Sequence, residues 1–164
     1  MRLTAKNLLV NSLYYGLTVV ALPYAFHTAE RFLGIPLITS DILRFGALNL
    51  GISAVALQVW SIVLLQRIGK GTPSPFFPTH TLVVDGPYRF VRNPLNLGEL
   101  MVLGALAAWF GSLALLVYFF LAFLAFHLFV LFYEESANRR RFDESYGKYE
   151  ATVNRWMPRV PRTS

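Results

Sequence analysis

Long apolar runs, broken by short segments rich in Gly, Pro and charge, set the pattern of this chain. Residues 8–26 and 42–65 are nearly continuous apolar stretches, and a third runs from Leu97 to Tyr133. An α-helix rises 1.5 Å per residue, and the hydrocarbon core of a bilayer is about 30 Å thick. Each of the first two runs can therefore cross a membrane as one helix. The third, drawn as one straight helix, would be about 55 Å long, so it must turn back. Gly111-Ser112 is the one good place for the reversal, which predicts a helical hairpin of residues 94–110 and 113–133. Four membrane-spanning helices follow, at about 8–26, 42–65, 94–110 and 113–133.

The segments between the runs read as connections. His27 to Asp41 carries Glu30, Arg31, Gly34, Pro36 and Asp41, the mixed punctuation of a loop. Gln66 to Thr81 holds three Pro and two Gly, which preclude a regular helix or strand. Its Gly69-Lys70-Gly71-Thr72 lacks the full spacing of a phosphate loop. Inside the second run, Gly46, Asn49, Gly51, Ser53 and Gln58 are the small and polar positions expected on a packing face. After Tyr133 the chain turns polar but stays patterned. Phe142, Tyr146, Tyr149, Val153 and Trp156 recur at steps of three and four, one face of a helix. Arg139, Arg140, Arg141, Lys148 and Arg155 are available there for lipid headgroups, so the expected form is an amphipathic helix at the cytoplasmic interface. The fold class is all-α: a polytopic membrane bundle of four helices, one domain over residues 1–164, with that terminal helix.

Composition agrees with this class. Of 164 residues, 55% are hydrophobic and only 15% charged, against about 25% in a soluble domain. The net charge of +6 would suggest nucleic acid in a soluble protein; in a membrane protein it reflects Lys and Arg gathered on the inner side. Four spans place Arg2, Lys6, Arg67, Lys70, Arg89, Arg92, Arg139, Arg140, Arg141, Lys148, Arg155, Arg159 and Arg162 on one side, and only Arg31 and Arg44 on the other. Both termini are therefore expected in the cytoplasm, in a membrane of prokaryotic type. The run 8–26 is long for a cleaved signal and is expected to remain as a span. The absence of Cys excludes disulfides, thiolate metal sites and cysteine nucleophiles. Three scattered His point to no metal site.

Candidate chemistry concentrates in Leu82 to Glu99, LVVDGPYRFVRNPLNLGE. Asn93-Pro94 reads as a helix start, because Asn suits the N-cap and Pro the first helical position. The free N–H groups of such a turn favour an anion, and Arg89 and Arg92 beside it can fork onto a carboxylate or phosphate. Gly98, lacking Cβ, permits close approach. Glu134 and Glu135, at the end of the last run, are costly there unless they face water, pair with Arg (Arg139 lies four residues on) or meet a cation. Charge counting puts them on the same side as the turn. A ligand with one anionic and one cationic end would satisfy both pieces. Glu99 is expected to pair with Arg92 more readily than to catalyse, and His127 to pack.

These two stretches resemble a known family. Leu82–Gly98 is similar to the signature GPYR-x-VR-[HN]-P-x-Y-x-G of the isoprenylcysteine carboxyl methyltransferase and phospholipid methyltransferase families. Glu134–Phe142, EESANRRRF, followed by Tyr146, Tyr149 and Pro158-Arg159, resembles their closing motif EE-x-x-L-x-x-x-F-G-x-x-Y-x-x-Y-x-x-x-V-P-R. The resemblance covers about the second half of the chain. It implies an integral membrane methyltransferase that uses S-adenosylmethionine on a lipophilic substrate, a carboxylate, amine, hydroxyl or thiol. By matching position it assigns Arg89, Arg92, Asn93, Pro94, Leu97, Gly98, Glu134 and Glu135 to the cofactor, with Asn96 and Glu135 nearest the chemistry. The family's frequent His is Asn93 here and its usual Tyr is Asn96. Ser136, Asn138 and Asp143 replace Pro, Leu and Gly. With Asn at both 93 and 96, catalysis is expected mainly from orientation. The other readings are an NADPH-dependent membrane reductase and a non-catalytic membrane scaffold. Lipids are the expected surroundings and nucleic acid is not an expected partner; the residues carry no sign of oligomeric state.

Overall fold

The computed structural model describes residues 5–71 and 79–158. Arg2, Arg159, Arg162 and the centre of the Pro-rich connector, residues 72–78, lie outside them. The described chain is helical: α1 (Ala5–Tyr15), a π-helical segment Gly16–Ala21, α2 (Leu22–Phe32), α3 (Asp41–Arg67), a 3₁₀ turn Gly86–Arg89, α4 (Pro94–Phe110), α5 (Leu113–Phe129), a second π-helical segment Val130–Glu134, and α6 (Glu135–Thr152). Asp41–Arg67 and the continuous stretch beginning at Leu113 are long and apolar enough to cross a membrane. Their apolar residues are largely exposed, Ile42, Phe45 and Ile52 on α3 and Phe120 and Phe132 further on, as lipid-facing surfaces are. The chain divides into two compact units, residues 1–55 with 99–124, and residues 56–98 with 125–164.

In the first unit the expected end of the first run at Phe26 is overrun. Helix continues to Phe32, through a segment expected to be loop. Pro23 lies in the first turn after the π-helical segment, where its missing N–H is best tolerated. The extension places Glu30, which is buried, against the helical hairpin. Its carboxylate accepts hydrogen bonds from Ser112 Oγ, from Leu113 N at 2.8 Å and from Ala114 N at 3.2 Å. Those are the otherwise unbonded first N–H groups of α5. Ser112 Oγ in turn accepts from Leu115 N at 3.1 Å, so serine and glutamate cap α5 together. The hairpin turns at Gly111-Ser112 as expected. Gly111 has φ +60, and a Cβ there would sit 2.1 Å from Ile38 O, whose own N–H donates to Gly111 O at 2.9 Å. The turn thus needs glycine for both conformation and space.

On α3 the buried positions of this unit are Ala47 and Ala54, with Gly51 facing Ala105. Gly46 and Ser53, expected on the packing face, are exposed, and Asn49 turns its amide back to Phe45 O at 2.8 Å. The face is set by the steps 47, 51 and 54, which small apolar residues fill. Glu99, expected near Arg92, lies in this unit instead. It is buried and accepts from Thr18 Oγ1 at 2.9 Å and from Tyr14 OH at 3.4 Å.

In the second unit α6 is not one straight amphipathic helix. Asp143 breaks it with φ 43 and ψ −122. Asp stands where the related motif has Gly, at a backbone angle that favours Gly. The aromatic stripe is satisfied by packing: Tyr146, Tyr149 and Val153 form a buried cluster with Leu82 and Phe142 against it. Replacing Asp143 by Gly removes a Cβ from a strained position, so Asp143→Gly is expected to stabilise the protein by about 1 kcal/mol. Thermal unfolding in detergent measures this.

Candidate functional site

The site lies in the second unit and grows from the Gly86–Arg89 turn. Gly86 has φ +57, and a Cβ there would meet Leu64 Cδ1 at 2.6 Å, so the turn presses against α3 through a glycine. The chain then passes through Val91 and a bend at Arg92 before Pro94 opens α4. The tail returns to this stretch. Val91 bridges to Asn154, Arg92 N donates to Asn154 O at 2.9 Å, and Asn93 Nδ2 donates to Arg155 O at 3.2 Å. Tyr149 OH donates to Tyr88 O at 2.7 Å. The turn 88–93 and the strap 153–156 are therefore stitched by main chain, which fixes their side chains relative to each other.

Those side chains form a ladder of ions. Arg155 forks onto Glu135, Nε to Oε1 at 2.7 Å and Nη2 to Oε2 at 2.8 Å. Arg139 forks onto Glu150, Nε to Oε2 at 3.0 Å and Nη2 to Oε1 at 2.7 Å. Arg92 stands between, its Nη1 3.2 Å from Glu135 Oε1 and 3.0 Å from Glu150 Oε1. The side chains of Glu135 and Arg92 are 2% and 8% exposed. Charges removed from water to this extent are tolerated when paired, and two carboxylates among three guanidiniums achieve that. The Arg139 fork, with a lesser contribution from Arg92, holds Glu150 below the usual carboxylate range. Burial raises the phenols of Tyr146 and Tyr149, both near Arg92.

Two parts of the ladder are incomplete. Arg92 Nε and Nη1 are buried, yet among the described residues no acceptor meets them with hydrogen-bond geometry. Both carboxylates near Arg92 already have their oxygens engaged by forks. Glu134, next to Glu135, is half-buried and has no ion-pair or hydrogen-bond partner among the described residues. It follows the last apolar residue, Tyr133, at the end of a π-helical segment, a wide turn that often marks functional positions. Burial first, and the charge of Glu135 second, push its carboxyl up to about 7. Among the described residues the unit thus contains a cation with two unsatisfied donor atoms, Arg92, and an uncompensated acid, Glu134.

The residues expected at the site fall into groups. Arg92, Asn93, Glu134 and Glu135 belong to one compact unit, with Arg92 and Glu135 in direct contact. Pro94 and Gly98 are buried in the first turns of α4, and Asn96 and Leu97 are partly exposed there. Leu95 and Asn96 carry first-turn N–H groups that no residue of the same helix can accept. Arg89 is exposed at the rim of the turn. Two residues enter that the sequence did not single out for the site, Arg155 and Glu150; Arg139, named there as a partner for Glu135, lies 3.9 Å from it. Arg155, expected on lipid headgroups, forks onto Glu135 instead, and Arg139, expected on headgroups or beside Glu135, forks onto Glu150. The closing motif held the missing signal. Counted from Tyr149, its three-residue gap reaches Val153-Asn154-Arg155, not Pro158-Arg159. His127 accepts a hydrogen bond from Trp156 Nε1 at 3.1 Å, which ties the strap to α5.

The family model that describes phospholipid methyltransferases matches residues 42–145. No curated protein and no solved structure matches the chain. The match spans the turn, both glutamates and Arg139. It ends before Tyr146, Glu150 and Arg155, so the strap and two of the five ladder residues lie beyond the matched segment.

Proposed function

The chain belongs to the phospholipid methyltransferase family, and on that premise we propose that it transfers a methyl group from S-adenosylmethionine to a lipophilic acceptor at the cytoplasmic face of a membrane. The observation that carries the reading is Arg92, buried and held by two carboxylates yet with Nε and Nη1 unbonded. The bound donor supplies an electrophilic methyl on a sulfonium, beside a carboxylate and an ammonium. The residues present fit such a group. Arg92 offers two donors to a carboxylate, and Glu134 offers a half-buried acceptor to a cation. Asn93, held by Arg155 O, and the first turn of α4 add polar groups beside the guanidinium. Glu135, filled by Arg155 and Arg92, orients the arginine. Asn96 can hydrogen-bond an acceptor but does not titrate, so the rate comes from orientation and exclusion of water.

The membrane part of the proposal is four crossings, α1 to α2 forming the first, with both termini and the site on the cytoplasmic side. The thirteen-to-two distribution of positive residues supports it.

Glu134 gives the reading a pH signature. Its folded-state pKa of about 7 lies above the 4.5 of an unperturbed glutamate, so the folded protein holds this proton more tightly than the unfolded chain. Its stabilising contribution is complete below pH 4.5 and is lost as pH rises through about 7. A cationic ligand favours the ionised form, so donor affinity is expected to rise across the same window. Glu134→Gln is expected to flatten both profiles; thermal unfolding and calorimetry between pH 5 and 8 check this.

The direct test of activity is transfer of tritium from methyl-labelled S-adenosylmethionine into a lipid extract by the purified protein. Label in an extractable lipid supports the reading, and its chromatographic identity gives the acceptor atom. No transfer into any lipid fraction, with the donor bound, overturns it.

A further inference from the structure

We infer that Arg155 is a positioning residue for the donor site, acting through Glu135 to keep the donor atoms of Arg92 free. This rests on the function proposed above, but its geometry stands by itself. A carboxylate forked by one guanidinium uses both oxygens along their favoured directions. Arg155 makes that fork on Glu135 with two short bonds, 2.7 and 2.8 Å. Arg92 is left with a looser approach, 3.2 Å from Oε1, without hydrogen-bond geometry. The same occurs at the other end, where Arg139 forks Glu150 and Arg92 again receives ion-pair distance only. Arg92 is the one member of the ladder with no fork.

The ends of the ladder therefore compete with its centre. Without the Arg155 fork, Glu135 has Arg92 at 3.2 Å and Arg139 at 3.9 Å as its remaining cations. A buried carboxylate in that position closes onto the nearer guanidinium and occupies the donors that an incoming anion needs. Arg155 reaches this place because the strap is fixed to the turn by Asn154 O and by its own carbonyl, which accepts from Asn93. Arg139 is more exposed, 57% against 25% for Arg155, so its end is the weaker control. Arg155 touches neither reacting atom; it sets the state of the residue that binds the anion.

Arg155→Lys tests this, since it keeps the charge near Glu135 and removes the fork. Calorimetry compares S-adenosylhomocysteine, which carries the carboxylate, with 5′-methylthioadenosine, which lacks it. The variant is expected to bind the first about tenfold more weakly and the second unchanged, because only the carboxylate depends on the Arg92 donors. A general loss of structure would weaken both alike, and that result, or no change in either, overturns the proposal. A second measurement needs no ligand. In protein with ¹⁵N-labelled arginine, the Arg92 Nε–H resonance, identified by its absence in Arg92→Lys, is expected to move downfield in Arg155→Lys as it gains a carboxylate acceptor. An unmoved resonance overturns the proposal. Failure of the unaltered protein to bind S-adenosylhomocysteine would instead remove the functional reading, and the resonance would still decide the role of Arg155.

Discussion

Arg92→Gln is expected to lower kcat/KM for methyl transfer by on the order of 100-fold, chiefly by raising the KM for the donor. The side chain is buried, and among the described residues two of its nitrogens meet no acceptor with hydrogen-bond geometry. A hydrogen bond to a charged group is worth about 1.5–3 kcal/mol, and two such bonds to one carboxylate span the expected loss. Arg92→Lys restores charge without the paired donors, so it is expected to recover only part of the activity. Tritium transfer at varied donor concentration separates the two parameters. A fall confined to kcat would mean that Arg92 serves the acceptor or the chemistry instead.

The second large effect is on stability. Glu135→Ala removes the one carboxylate shared by Arg155 and Arg92. Both guanidiniums are then left with buried or half-buried charge and an inadequate partner. Breaking a buried pair in this way costs about 3–5 kcal/mol, more than the intact pair contributes, because the survivor is not resolvated. For a chain of this size that lowers the unfolding midpoint in detergent by on the order of 10 °C. The strap 153–156 is expected to loosen with it, visible as faster amide exchange at Arg92, whose N–H is held by Asn154 O. Glu150→Ala is the comparison. Its forked partner Arg139 is largely exposed and regains water, and the buried Arg92 loses Glu150 but keeps Glu135, so the loss is expected to be smaller.

Parts of this architecture were legible because simple geometry forces them. A 37-residue apolar stretch cannot remain one helix in a bilayer, and α4 and α5 end and begin at Phe110 and Leu113 as that constraint requires. Pro94 opens its helix for an equally local reason. The rest depended on partners far apart in the chain. Glu30 looked like loop punctuation; its role as cap of α5 appears only when residues 82 to 84 positions away are brought beside it. Arg155 lies twenty residues from Glu135, with a backbone break at Asp143 between them, so no helical period could pair them. Its headgroup reading came from treating the tail as one helix. Glu99 misled in the opposite way. It neighbours Gly98 in sequence, yet its bonds go to Thr18 and Tyr14, where the π-helical segment Gly16–Ala21 presents a hydroxyl. For the acidic doublet, the residue types indicated a site, but not which glutamate was already satisfied. That division, Glu135 filled and Glu134 open, follows from the tertiary positions of two arginines.

The central claim is that the arginine turn, the acidic doublet and the returning strap form one site for a zwitterionic methyl donor. Titration calorimetry of S-adenosylhomocysteine into the purified protein at pH 7.5 tests it most directly. Saturable one-site binding that is clearly weakened in both Arg92→Gln and Glu134→Gln is the expected result. Binding that survives both substitutions unchanged, or no binding by the unaltered protein, would contradict the claim.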